Sequence, residues 1–166
     1  MALEEHRRHK PVVRCAILTV SDTRTPDTDD SGRVARELLS GQGHEISDHR
    51  IAANDAAAIS ASLRELLAGA ADLVLTIGGT GVSKKDLTVD AASPFLARIL
   101  PGFGELFRYY SLSDIGSAVI LSRALMGVTA QGKLVVCTPG SIAAVRLALE
   151  KILLKELGHL IGELRK

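Results

Sequence analysis

Residues 72–90 read DLVLTIGGTGVSKKDLTVD, and this stretch decides both the fold class and where to look for chemistry. Leu73, Val74, Leu75, Thr76 and Ile77 form a short, almost wholly apolar and β-branched-rich run, the pattern of a central parallel strand buried on both faces. Gly78-Gly79-Thr80-Gly81 follows at once, and three glycines in four residues let a backbone turn sharply and present its N–H groups with no Cβ in the way. Ser83, Lys84, Lys85 and Asp86 then bring a hydroxyl, two cations and a carboxylate together, just before Thr88, an expected N-cap for the segment beginning Val89-Asp90. Strand, bare loop, charges and helix start together describe an anion site, best suited to phosphate. The loop is not a Walker A motif, since no Lys-Ser/Thr pair follows a four-residue spacer, and it lacks the G-x-G-x-x-G spacing of a dinucleotide fingerprint. A glycine-rich turn that binds nothing is the competing reading, and spacing alone leaves both open.

Working outward, residues 12–20 read as a first strand ending in Ser21-Asp22-Thr23 and a polar loop. Ser31 is positioned to cap a helix over residues 33–39, closed by Gly41 or Gly43. A second strand covers residues 45–51, and Asn54 or Asp55 caps a helix in which Ile59, Leu63 and Leu66 recur at helical spacing. After the glycine loop, residues 89–100, 104–110 and 114–125 all have helical pattern, with Pro101-Gly102 as a break. Residues 134–137 form the last clear strand, followed by Thr138-Pro139-Gly140-Ser141 and a closing helix over residues 142–164, with Ile142, Val145, Leu149 and Ile152 on one face. Strands alternating with helices predict βαβ units: an α/β fold in three layers, with a mostly parallel sheet and helices on both faces. Ligands in such sheets bind at the carboxyl ends of the strands, where Ser21-Asp22-Thr23, residues 78–86 and residues 138–141 all fall.

At 166 residues, 46% hydrophobic and 23% charged, the chain is expected to form one domain over residues 11–166 behind a flexible tail at residues 1–10. With 3% aromatic residues and no Trp, the core must be aliphatic. Twenty Lys and Arg against nineteen Asp and Glu give +1, which argues against nucleic acid or a membrane surface held by bulk charge. Cys15 and Cys137 lie in strand-like runs and read as buried free thiols. No apolar run reaches membrane-spanning length, and the charged opening is no signal peptide, so the cytoplasm is the expected location. His6 and His9 sit in the tail at a spacing a metal could use, but no Cys or carboxylate pattern joins them.

The loops, in this order, resemble the MoaB/Mog family of molybdenum-cofactor biosynthesis proteins, closest to its MoaB branch, whose eukaryotic relatives include the gephyrin G domain. The resemblance rests on TVSDTR (residues 19–24) with Ser31-Gly32, TIGGTGVSKKDLTVDA (76–91), PGFGELFR (101–108), LSRALMGV (121–128) and TPGSIAAV (138–145). It implies binding of molybdopterin and its adenylylation: the terminal phosphate attacks the α-phosphate of ATP and pyrophosphate leaves, with Mg²⁺ as cofactor. It also implies a homo-oligomer, trimer or hexamer, working beside other molybdenum-cofactor biosynthesis proteins.

The same resemblance assigns roles. Backbone amides of Gly78, Gly79, Thr80 and Gly81, with Ser83 nearby, would hold a phosphate, and Asp86 would hold Mg²⁺ directly or through water. Lys84 or Lys85 would steer the polyphosphate, unless either is a solvated lysine. Ser122 falls on a family serine that meets the pterin phosphate, with Arg123 adding charge; an ordinary helix surface is the alternative. Ser21, Asp22 and Thr23 contact nucleotide or pterin, or shape their loop. Pro139, Gly140 and Ser141 meet the substrate, or Ser141 is only an N-cap. One position departs from the family: Asn54 stands where an acidic residue is usual, with Asp55 next to it. Either Asp55 substitutes or metal-assisted adenylylation is weakened, which leaves a binding protein of the same pathway with little turnover as the second reading. An unrelated nucleotide-binding or structural oligomer is the third.

Overall fold

The structure, a computed structural model, describes residues 11–166; the expected tail at residues 1–10, with His6 and His9, lies outside the described residues. Six strands form one sheet in the order β2-β1-β3-β6-β5-β4. They are β1 (Arg14–Val20), β2 (Glu45–Ala52), β3 (Leu73–Ile77), β4 (Leu96–Ile99), β5 (Leu125–Thr129) and β6 (Leu134–Thr138). β2, β1, β3 and β6 pair in parallel, whereas β5 runs antiparallel to both β6 and β4. The mostly parallel, three-layer α/β arrangement expected from the strand–helix alternation is what the chain adopts.

Period-two alternation divides the core between the two faces. Cys15, Ile17, Leu73, Leu75, Leu134 and Val136 join one cluster, packed under α1 (Asp30–Gly41), α4 (Pro101–Ile115) and the C-terminal helix. Ala16, Leu18, Val74, Val135 and Cys137 join the other, under α2 (Ala56–Ala68) and α3 (Thr88–Ala92). Because β3 is covered on both sides, all five of its residues are buried. Its one polar side chain is satisfied within the sheet: Thr76 Oγ1 donates to Val136 O at 3.4 Å, and Thr138 Oγ1 donates to Thr76 O at 3.1 Å. Both cysteines are buried free thiols, and desolvation raises Cys15 to about 12 and Cys137 to about 11.

Several sequence expectations are corrected. Residues 89–100 are not one helix: α3 ends at Ala92, a single turn of 3₁₀ helix follows at Ser93–Phe95, and β4 begins at Leu96. Residues 114–125 are not one helix either; α4 stops at Ile115, a 3₁₀ helix spans Gly116–Leu121, and Leu125 starts β5. Strands of four and five residues offer too few repeats for a two-residue period to outweigh Ala, Leu and Met, which favour helix. Asp29, not Ser31, caps α1 by accepting from Gly32 N. The closing helix is α5 (Ile142–Arg146), a π-helical stretch Leu147–Leu153, and α6 (Leu154–Leu164), and Ile142 is exposed, not on the buried face.

At the amino end of the sheet, Asp72 ties three elements together. Its carboxylate accepts from Arg14 N at 3.0 Å, from Arg14 Nε at 3.2 Å and from Arg14 Nη2 at 3.1 Å, and pairs with Arg165 at 3.2 Å. Burial opposes its charge, but the hydrogen bonds and charges of Arg14, with that of Arg165, outweigh this and hold its carboxyl below the usual range. A depressed folded-state value means stability that is present above the unfolded pKa and is lost as pH falls through the folded value. Urea-unfolding midpoints are therefore expected to fall more steeply for the native chain than for Asp72→Asn between about pH 5 and pH 2. Parallel acid limbs for the two proteins would contradict this assignment.

Candidate active site

The carboxyl ends of β1, β3 and β6 lie in register, Thr19 against Ile77 and Ile77 against Thr138. The chain leaves β1 for β2 on one side and returns to β3 on the other, so the strand order reverses between β1 and β3, where a crevice opens. Gly78 occupies that point with φ +102°. A Cβ there would sit 2.6 Å from Val20 O, so both the dihedral and the close approach of backbone demand glycine. Gly140, opening the loop after β6, approaches so closely that its own Cβ would lie 3.3 Å from Gly78 Cα.

The glycine loop is clamped from beneath and from one side. Thr88 is buried and does not cap α3 as expected; its Oγ1 donates to Gly78 O at 2.7 Å and its N–H to Gly79 O at 3.0 Å. Arg123 holds the outer half. Its N–H donates to Thr80 O at 2.9 Å, Nε to Gly81 O at 2.8 Å and Nη2 to Asp86 O at 2.6 Å, while Nη1 pairs with Asp90 at 3.0 Å. Its guanidinium is thus committed to shaping the loop rather than to adding a free charge for a ligand. Gly78 N–H is also engaged, donating to Thr138 O at 2.9 Å. The amides of Gly79, Thr80, Gly81 and Val82, by contrast, donate to no acceptor among the described residues. Four successive bare N–H groups at a strand's carboxyl end form an anion nest.

Charged and hydroxyl groups surround this nest. Asp86 Oδ2 accepts from Ser83 N at 2.8 Å and lies against Gly81, leaving Oδ1 without a hydrogen bond among the described residues. Ser83 Oγ accepts from Lys85 N at 3.3 Å, and the Lys84 and Lys85 side chains are exposed. Ser122 Oγ accepts from Ala124 N at 3.3 Å, one residue from the Arg123 that grips the loop. Asp22 Oδ1 accepts from Asn54 N at 2.8 Å, which joins the loops after β1 and β2. Three other residues have local roles. Ser21 Oγ accepts from Thr23 N and Arg24 N at 3.2 and 3.1 Å, Asp55 caps α2 through Ala58 N at 2.8 Å, and Ser141 caps α5 through Ala144 N at 3.1 Å. Pro139 leads into Gly140, whose carbonyl accepts from Ser31 Oγ at 2.7 Å.

Asn54 Oδ1 is the one buried side-chain oxygen or nitrogen without a partner among the described residues, and it lies 3.4 Å from where a Cβ of Gly79 would be. An orphaned carbonyl oxygen on one side of the loop and a free carboxylate oxygen of Asp86 on the other are hard donors of the type Mg²⁺ takes. No group of three or more His, Cys, Asp or Glu among the described residues could hold a metal ion. Two oxygens of this kind suit a Mg²⁺ ion that keeps most of its waters.

Sequence reading missed Thr88 as a clamp, Asp90 as the partner of Arg123, and a buried network in which Asp29 accepts from Thr19 Oγ1 at 2.6 Å and pairs with His49 Nε2 at 2.9 Å. The Asp29–Gly32 spacing is a readable N-cap signal. Nothing local links Asp29 to His49, twenty residues on. Replacing Arg123 by Ala removes two side-chain contacts to the loop backbone, at Gly81 O and Asp86 O, and the ion pair with Asp90. It is expected to cost about 2 kcal/mol in urea unfolding and to speed hydrogen exchange over residues 79–87. Unchanged exchange there would contradict the clamp.

Comparison with known proteins identifies the family and the fold. Residues 16–159 match the family described as "Probable molybdopterin binding domain". Molybdenum cofactor biosynthesis protein B of Halalkalibacterium halodurans is 46% identical over 170 residues, covering 100% of this chain and 99% of the relative. A crystal structure of Molybdenum cofactor biosynthesis protein B superposes with a TM-score of 0.90 at 45% identity, over 95% of this chain and 99% of the other. The tungsten cofactor synthesizing protein MoaB from Pyrococcus furiosus superposes with a TM-score of 0.85 at 32% identity, over 95% and 100% of the two chains. With its glycine loop, Asp86 and Arg123 assembled at the carboxyl edge of a sheet of this kind, the chain belongs to the MoaB/Mog family of molybdenum cofactor biosynthesis proteins and carries its molybdopterin-binding domain.

Proposed function

We propose that the glycine loop seats the terminal phosphate of molybdopterin and that the chain adenylylates this phosphate with ATP. The observation that carries the reading is the run of bare amides at residues 79–82, held open at the carboxyl edge of β3. In the step, a phosphate oxygen of the pterin forms a bond to the α-phosphorus of ATP as the bond from that phosphorus to the bridging oxygen breaks, and pyrophosphate leaves. Such chemistry asks the protein mainly to position two anions and offset their charge. The amides would hold the pterin phosphate, Ser122 would reach its oxygens, and Lys84 would steer the triphosphate. Asp86 and the Asn54 carbonyl would hold Mg²⁺, which would supply charge neutralisation on the phosphates.

A second reading, a binding protein with little turnover, draws support from two facts: Asn54 carries no charge, and the neighbouring Asp55 carboxylate is engaged at the start of α2. The two readings separate in one assay. Purified protein with molybdopterin, ATP and Mg²⁺ is expected to release pyrophosphate, and Asp86→Ala to slow release about 100-fold. Binding without release would favour the second reading, and binding of neither ligand would contradict both.

Self-association belongs to the same proposal. Leu106, Tyr109, Leu112 and Ile115 on α4, with Ile120 and Leu121 on the following 3₁₀ turn, are large apolar side chains left exposed. A concentration of this kind is the mark of a docking surface, and a homotrimer or hexamer would cover it. Analytical ultracentrifugation at micromolar concentration is expected to show an oligomer; a stable monomer would contradict it. No described helix is long and apolar enough to cross a membrane, and we place the chain in the cytoplasm, beside the other proteins of the pathway.

A further inference from the structure

The β1–α1 loop borders a cavity of about 730 Å³ that the glycine-loop site does not use. Arg24, Arg33 and Arg36 line it together with Asp29 and His49. A smaller cavity of about 110 Å³ shares Arg24 and Asp29 as walls and extends to Ser21, Ile77 and Gly140. The two cavities share those walls, so the space beside the arginines borders the one at the carboxyl ends of β1 and β3, at Val20 and Ile77.

The charges at the arginine end are unevenly compensated. Arg33 pairs with Asp30 at 2.5 Å and Glu37 at 3.6 Å. Among the described residues the Arg24 guanidinium donates only to the carbonyl of Thr28, at 2.9 Å, and Arg36 has no ion pair. Asp29 does not offset them freely. Its carboxylate is buried and already accepts from Thr19 Oγ1 at 2.6 Å and Gly32 N at 2.9 Å, with His49 Nε2 at 2.9 Å. Against that carboxylate Nε2 acts as the donor, so the imidazole is oriented, and its other nitrogen has no partner among the described residues. Two uncompensated guanidinium groups and an oriented imidazole around one cavity suit a ligand with several phosphate oxygens, since guanidinium binds phosphate through paired N–H bonds.

We propose that this cavity is a polyphosphate subsite: it takes inorganic pyrophosphate, or the β- and γ-phosphates of a nucleoside triphosphate whose α-phosphate reaches toward the glycine loop. Arg24 borders both cavities. The link to turnover rests on the adenylyl-transfer reading, whereas the anion site itself does not.

The test is calorimetric titration of the full chain with pyrophosphate, ATP and AMP, for the native protein, Arg24→Ala, Arg36→Gln and the double variant. Both arginines are exposed, so the variants are expected to fold, with the thermal unfolding midpoint as the check. One pyrophosphate per chain is expected, with ATP and pyrophosphate each bound at least tenfold more weakly by the double variant, AMP unaffected, and native affinity falling as salt rises. Pyrophosphate that fails to bind the native chain, or binds the folded double variant equally well, overturns the proposal. Parallel titration with molybdopterin keeps the two readings apart. Its loss with pyrophosphate binding intact counts against the glycine-loop assignment alone, and the reverse pattern counts against the polyphosphate subsite alone.

Discussion

Everything at the functional edge of this molecule depends on how closely three strand ends approach one another at Gly78. The carbonyl oxygen of Val20 leaves no room for a side chain there, and the positive φ turns the chain off the end of β3 at once. Because Gly78 N–H is taken by Thr138 O, the backbone is locked into the sheet up to that residue and released immediately after it. The next four amides are therefore bare by construction, and they stay so because the loop carbonyls are held from elsewhere. Thr88 takes the carbonyls of Gly78 and Gly79, and Arg123 takes those of Thr80, Gly81 and Asp86. Carbonyls held in this way leave the N–H groups without a protein acceptor, the condition that an anion-binding loop with few charges of its own requires.

The parts of this arrangement that come from local chemistry were readable in advance. The apolar run at residues 73–77 placed β3 at its observed bounds, and Gly78 to Gly81 marked the turn after it. Asp55 and Ser141 behave as the N-caps their sequence positions suggest. What stayed hidden is tertiary. Arg123 lies more than forty residues from the Gly81 carbonyl it holds, so a nearby LSR sequence gave no sign that its cation is tied into the loop. β4 and β5 form the antiparallel end of the sheet through pairing with each other and with β6, a context that overrides their helix-favouring composition. The buried Asp29–His49 pair joins α1 to the edge strand β2, and no spacing rule connects residues brought together by a crossover.

Charge is unevenly distributed along the carboxyl edge of the sheet. At the glycine loop, attraction comes from neutral amides, with Asp86 as the carboxylate held against Gly81. At the other end, Arg24 and Arg36 carry formal charge without compensation. Under the proposals above, a dipolar site for one phosphate and a cationic site for a polyphosphate would differ in chemistry as well as in position. Asn54, with its orphaned oxygen next to Gly79, marks where this chain departs from the acidic residue that the family resemblance leads one to expect.

The most direct test of the central claim is a crystal structure of the chain with molybdopterin bound. The account predicts phosphate oxygens about 3 Å from the amides of Gly79 to Val82, with Arg123 still holding the loop. Ligand density elsewhere on the molecule, with the four amides facing only solvent, would contradict it.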